Sequence, residues 1–170
     1  MKLARLEGEK QAETARVEAE QRAVEKRAAE ANLKQTLAKY GSLKETATGF
    51  RLVLPETIWT NTRVATLSAA SSAKLEPLAA LLASNPDYQI LIEAYTDGKG
   101  NEVELQQLTQ ERARVLSDRF QTAGVDPMRI QANGMGASNP LAPNTTVAGQ
   151  RKNRRVEITF TSPVGRTAAN

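Results

Sequence analysis

Polar and apolar positions follow one rhythm over the first forty residues and another afterwards. Residues 1–40 are dominated by Ala, Glu, Lys, Arg and Gln, the strongest helix formers, and all seven prolines lie at or beyond Pro55. Glu18–Arg22 and Glu30–Lys34 have the favourable acid-before-base i,i+4 spacing, whereas Glu9 and Glu13 repel. A single helix over residues 2–39 is predicted, roughly 55 Å long at about 1.5 Å per residue, with Gly41 as its C-cap. Val17, Val24, Ala31 and Ala38 recur every seventh residue, but the matching second positions hold Gln21, Ala28 and Gln35. That seam is thin. It leaves two readings open: a solvated spacer, or a weak coiled coil that makes a homodimer through this helix.

From Phe50 onward short strands alternate with helices. Residues 50–54 read as a strand closed by Pro55. A helix follows with Ser68 as N-cap and Leu75, Leu78, Leu81 and Leu82 on one face, stopped by Asn85-Pro86-Asp87. Residues 88–95 form a central strand by their Ile, Leu and Tyr content. After the loop at 97–100, Asn101 and Glu104 open a capping-box-like helix start, and the helix reaches Ala123 with Gly124 closing it. A strand at 129–135, a Pro/Asn/Ser-rich loop at 136–146 and a final strand at 155–161 complete the pattern, with residues 162–170 as a loose tail. The sum is an α+β two-layer sandwich of about 115 residues behind a long N-terminal helix.

Composition then removes whole classes of chemistry. The 170 residues include no cysteine and no histidine. This excludes thiolate nucleophiles, disulfides, His-dependent triads and the usual zinc ligand sets; no metal site, cofactor or catalytic residue is predicted. Two carboxylates suffice for glycan hydrolysis, but no acid pair stands out. No run approaches the roughly 20 apolar residues of a membrane-spanning helix, and the N-terminus has charge without the apolar stretch of a signal peptide. The net charge is +4, and from residue 50 onward Lys+Arg exceed Asp+Glu by only two. The basic run Arg151-Lys-Asn-Arg-Arg155 lacks interleaved aromatics, so nucleic-acid binding is not expected.

One charge falls in the wrong place for a simple core. On a helical wheel of residues 102–123, Leu105, Leu108, Ala113, Val115, Leu116 and Phe120 form an apolar arc, and Arg112 lies inside it. A buried guanidinium needs a partner, since an unpaired buried charge costs several kcal/mol. Asp97, at the end of the central strand, is the candidate. Two readings remain: an internal Asp97–Arg112 ion pair that fixes a loop, or a clamp in which Asp97 takes an ammonium and Arg112 a carboxylate.

Tyr95-Thr-Asp97, Leu108-Thr-Gln-Glu-Arg112-Ala113, Gly124-Val125, Arg129-Ile130, Gly134-Met-Gly136, Asn139-Pro140, Asn144-x-Thr146-x-x-Gly149 and Asn153-Arg-Arg-Val-Glu-Ile158 occur in that order. Over residues 50–161 the set resembles the OmpA-like C-terminal domain family, the peptidoglycan-binding module of OmpA, peptidoglycan-associated lipoprotein and MotB. The resemblance implies a βαβαββ sandwich spanning residues 46–162, with residues 1–45 as spacer or weak coiled coil and 163–170 as a flexible tail. It implies noncovalent binding of peptidoglycan through the diaminopimelate of the stem peptide, without enzymatic activity.

By the same resemblance Asp97, in the pair Thr96-Asp97, and Arg112 hold the zwitterion. Arg154 lies beside the pocket, and Asn61 is a polar loop residue that can face the ligand. Leu105 stands where the family commonly has a ligand-contacting asparagine, Ala94 replaces a usual glycine, Thr60 a frequent phenylalanine and Gln150 a usual arginine. The Leu105 difference supports an alternative, an OmpA-like protein-interaction scaffold that has lost the wall ligand. The implied location is the periplasm, in an outer-membrane-associated envelope protein; the sequence carries neither leader nor lipid anchor, so residue 1 is expected to begin a fragment.

Overall fold

The computed structural model describes residues 1–162; the tail expected at 163–170 lies outside them. Two compact units divide the chain, one covering residues 1–36 and the other beginning at Leu37. The first is helix α1 (Lys2–Leu37) over nearly all its length. Its charges pair along the surface, Arg5 with Glu9 at 3.0 Å and Arg16 with Glu13 at 2.7 Å. Val17 and Val24 of the sevenfold repeat are exposed, as are Leu3 and Leu6. The helix ends at Leu37, two residues short of the expected limit. Gly41 is not its left-handed cap, since its φ is not positive. Glycine is required there for another reason: a Cβ would stand 2.1 Å from the Val53 carbonyl oxygen.

The second unit contains β1 (Ser42–Thr46), β2 (Gly49–Pro55), α2 (Ala69–Ser84), β3 (Gln89–Tyr95), α3 (Glu102–Thr122), β4 (Ile130–Gly134), α4 (Val147–Asn153) and β5 (Arg155–Thr161). The sheet order is β1-β2-β5-β3-β4; β3 and β4 run parallel and the other neighbours antiparallel. Expected caps are in place: the Ser68 hydroxyl accepts from the Ser71 amide at 3.1 Å, and Asn101 Oδ1 from the Val103 amide at 2.8 Å. Gly124 closes α3 with φ of 108°, a conformation that other residues adopt only at a cost.

Alternation decides which face of the sheet is covered. Phe50, Leu52, Leu54, Ile90, Ile92, Ala94, Val156, Ile158 and Phe160 are buried on one face. Helix α3 packs over β3 and β4 with α2 beside it, contributing Leu75, Leu78, Leu82, Ala113, Leu116 and Phe120. Leu81, Leu108 and Val115 are only half-buried, at the margins of their arcs.

One strand and one α-helix go beyond the predicted set. Strand β1, Ser-Leu-Lys-Glu-Thr, pairs along β2 through a tight turn at Ala47-Thr48; as a polar edge strand it carries little periodic signal. Helix α4 is seven residues long, capped by the Thr146 hydroxyl on the Gly149 amide at 2.9 Å, and too short to show a helical period. Ser162, the last residue of the span 46–162, is tied down, its amide donating to the Thr48 carbonyl at 2.8 Å. No helix among the described residues is long and apolar enough to cross a membrane.

Candidate functional site

Strand register assembles the site. Arg155 of β5 sits opposite Pro55 of β2 on one side and opposite Tyr95 of β3 on the other. The residues just beyond those three therefore meet at one end of the sheet: Glu56 after β2, Asp97 after β3, and Arg154 before β5. Arg154 lies between the two acids. Its Nη1 donates to Asp97 Oδ2 at 2.5 Å, and its Nε and Nη2 engage both oxygens of Glu56. Such fork-to-carboxylate geometry is the strong, orienting form of an ion pair. Arg151, largely exposed, approaches Glu56 at 4.0 Å.

A loop closes over this end from the other side. Trp59 and Leu67 form an antiparallel bridge at its neck, reinforced by the Thr60 amide on the Thr66 carbonyl at 2.9 Å and the Ser68 amide on the Ile58 carbonyl at 3.0 Å. Within the loop, Asn61 Oδ1 accepts from the Arg63 amide at 3.1 Å. The Arg63 guanidinium reaches Asp97 Oδ1 at 3.3 Å.

Arg112 is 2% exposed, as its position inside the apolar arc requires. It does not pair with Asp97, so the internal ion pair weighed from the sequence is absent. Its Nε–H donates to the Val64 carbonyl at 2.9 Å and its Nη2–H to the Asn61 carbonyl at 3.0 Å. The guanidinium carbon stands 4.9 Å from the Trp59 ring centroid, a cation–π arrangement. Among the described residues no carboxylate is in ion-pair contact with Arg112. The reason is topological: the loop carrying Asn61 and Val64 takes two of the five guanidinium N–H groups, while Arg154 and Arg63 occupy Asp97.

The charges are therefore unequal. Arg63, Arg112 and Arg154 converge with Glu56 and Asp97, three cations against two anions. Burial first, then the charges of Arg63 and Arg154, pull the Arg112 pKa down to about 10, with Glu56 and Asp97 opposing. Arg112 remains charged at neutral pH. For Asp97, burial would raise the pKa. Hydrogen bonds from Arg154 and the Lys99 amide, together with the Arg63 charge, outweigh it and hold the carboxyl below its ordinary value. Glu56 foremost, with Asp97 and against burial, pushes the Arg154 pKa up.

The remaining sequence-selected residues lie in different settings. Asn61 contributes its carbonyl to Arg112, while its side chain serves the loop. Thr96 is 2% exposed, its hydroxyl has no hydrogen-bond partner among the described residues, and its amide donates to the Gly136 carbonyl at 2.9 Å. Leu105 lines a groove of about 810 Å³ together with Gly98, Gly100, Gln106 and Met135.

Arg63 and Glu56 were not singled out by the sequence, since an isolated arginine and an acid after a proline carry no motif. Asn153 stands in a sequence motif but with no role assigned to it there. It is fully buried, accepts from the Leu141 and Ala142 amides at 2.7 and 3.1 Å, and donates to the Ala142 carbonyl and to Asn144 Oδ1. Both amide ends are satisfied, which fixes the loop before α4 and aims the neighbouring Arg154. Among the described residues no group of three acids converges that could hold a metal ion.

The surroundings of this site have counterparts elsewhere. The chain is 33% identical over 132 residues to the probable lipoprotein YiaD of Escherichia coli K12, covering 77% of this chain and 60% of that protein. It is 38% identical over 94 residues to the peptidoglycan-binding protein ArfA of Mycobacterium tuberculosis, 55% of this chain and 29% of that one. The chain thus spans less than two thirds of either relative. The periplasmic domain of Helicobacter pylori MotB superposes with a TM-score of 0.64 at 24% identity, over 75% of this chain and 85% of that domain, a likeness of fold. Residues 62–154, more than half of the chain and the stretch that supplies Arg63, Asp97, Arg112 and Arg154, match the OmpA family, and the chain belongs to it.

Proposed function

We propose that this domain binds peptidoglycan noncovalently through the diaminopimelate of the stem peptide, and so tethers an envelope protein to the cell wall in the periplasm. The observation that carries the reading is the unbalanced cluster of three arginines and two acids, in which buried Arg112 is bonded only to carbonyls. An incoming carboxylate compensates Arg112, with Arg154 beside it. An ammonium on the same carbon takes Asp97, whose depressed pKa keeps it anionic at neutral pH. Asn61 steadies Arg112 through its carbonyl, Thr96 adjoins Asp97 in the chain, and Leu105 lines the groove that runs past Gly98 and Gly100 just after Asp97. Charge complementarity does all of this without a nucleophile, so the domain acts as a binder and not as an enzyme. The long helix serves as spacer, and the peptidoglycan-binding name of ArfA is consistent with the assignment.

Co-sedimentation with purified sacculi tests it. The chain is expected to pellet with diaminopimelate-type walls, to stay in solution with lysine-type walls, and to lose affinity as salt rises. If it stays in solution with both at low salt, the scaffold alternative that Leu105 motivates takes over.

A further inference from the structure

Asp97 holds a partner in the place an ammonium ligand needs. Its Oδ2 accepts from Arg154 at 2.5 Å, and its Oδ1 accepts from the Lys99 amide at 2.9 Å and from Arg63 at 3.3 Å. These three contacts are not equally replaceable. The Lys99 amide is main chain, fixed by the turn. The Arg154 side chain is 10% exposed, and Glu56 holds the rest of its fork. The Arg63 side chain is 43% exposed, makes the longest of the three contacts, and has no other carboxylate partner among the described residues. Releasing it needs only side-chain rotation, because the loop is anchored independently at its neck and through the Arg63 amide.

We propose that Arg63 is a displaceable latch: in the free protein it occupies the Asp97 oxygen that the ligand's ammonium takes, and on binding it swings to the ligand's carboxylate beside Arg112. The inference rests on the zwitterion reading above and says how that site discriminates. A plain amine that displaces Arg63 exchanges one cation for another on Asp97 and leaves a loose guanidinium near Arg112 and Arg154, with no anion to receive it. A plain carboxylate finds Arg63 already engaged and Asp97 close by to repel it. Only a ligand with an ammonium and a carboxylate on the same carbon satisfies the released arginine and the vacated acid together. Selectivity here comes from penalties on the wrong ligands as much as from contacts to the right one.

The test uses the full chain and its R63Q variant, titrated calorimetrically with meso-diaminopimelate, with cadaverine (the same carbon chain without carboxylates) and with pimelate (without amines). D97N and R112M run alongside, and the Asp97 carboxyl is followed by NMR from acid to neutral pH. R63Q is expected to bind cadaverine about two- to fivefold more tightly than the wild type, the scale of a half-exposed ion pair. Pimelate weakens, and Asp97 titrates at higher pH. The latch is overturned if cadaverine affinity is unchanged, or if R63Q loses diaminopimelate as fully as R112M does, which makes Arg63 an ordinary ligand contact. Should the wild type bind none of the three, the zwitterion reading fails. The latch falls with it, whereas diaminopimelate binding with cadaverine affinity unchanged in R63Q overturns the latch alone.

Discussion

Two arginines are buried at opposite ends of the β3–β4 pair, and their environments separate a structural cation from the one proposed to hold ligand. Arg129, just before β4, donates to the carbonyls of Leu82, Asn85 and Tyr88 at 3.0, 2.7 and 3.0 Å. It thereby satisfies the C-terminal end of α2 and the entry to β3, groups that have no partner within a helix. Burial lowers its pKa, and the charges nearby that oppose the shift are acids, Asp126 and Asp87. Among the described residues Arg112 is also bonded only to carbonyls, but its neighbours include two more arginines. Arg129 completes its surroundings. Arg112 sits in surroundings that an anion would complete.

That contrast can be broken in order of expected effect. Arg129→Met leaves three carbonyls without their donor and is expected to cost about 3 kcal/mol of unfolding free energy by urea titration. Wall binding by the folded protein is expected to be unchanged. Arg112→Met should do the reverse: wall affinity falls at least about 30-fold, the loss typical of truncating one partner of a buried charge pair. Stability changes by less than in the Arg129 variant, because removing a buried charge also removes its desolvation cost. If Arg112→Met instead unfolds the domain while Arg129→Met weakens binding, the two roles have been assigned the wrong way round.

A pH titration sharpens the same division. The native Asp97 carboxyl is held below the ordinary aspartate value of 3.8, so near that value the unfolded chain binds more protons than the native one. The stabilisation from Asp97 is complete above about 3.8 and is lost as pH falls towards the lower native pKa. Acid unfolding of Asp97→Asn, monitored by circular dichroism, should therefore lack this part of the slope. A further effect is expected at Trp59, where Trp59→Leu removes the ring under buried Arg112 and costs about 2 kcal/mol beyond its packing loss. Comparing Trp59→Leu in the wild-type and Arg112→Met backgrounds isolates that contribution.

Much of this was legible one residue at a time. The break in the apolar arc of α3 identified Arg112, and the end of a strongly apolar strand identified Asp97. Their relationship was not legible. Arg154 intervenes because the β2–β5 and β3–β5 registers place residue 155 between Pro55 and Tyr95, a long-range pairing that no local pattern encodes. Arg63 stayed hidden for the same reason, as a lone arginine in a loop whose contact lies 34 positions away. Gly41 reads as a helix cap because it follows a helix, whereas its neighbour in space, Val53, is what demands glycine. Polar β1 and short α4 fell below any periodic signal, one through composition and the other through length.

The most direct test is a calorimetric titration of meso-diaminopimelate into the wild-type chain, Arg112→Met and Arg129→Met at low salt. The account predicts binding by the wild type and by folded Arg129→Met, and little or none by Arg112→Met. Equal binding by all three would contradict it, because the buried arginine left with carbonyls alone would then have no part in holding the ligand.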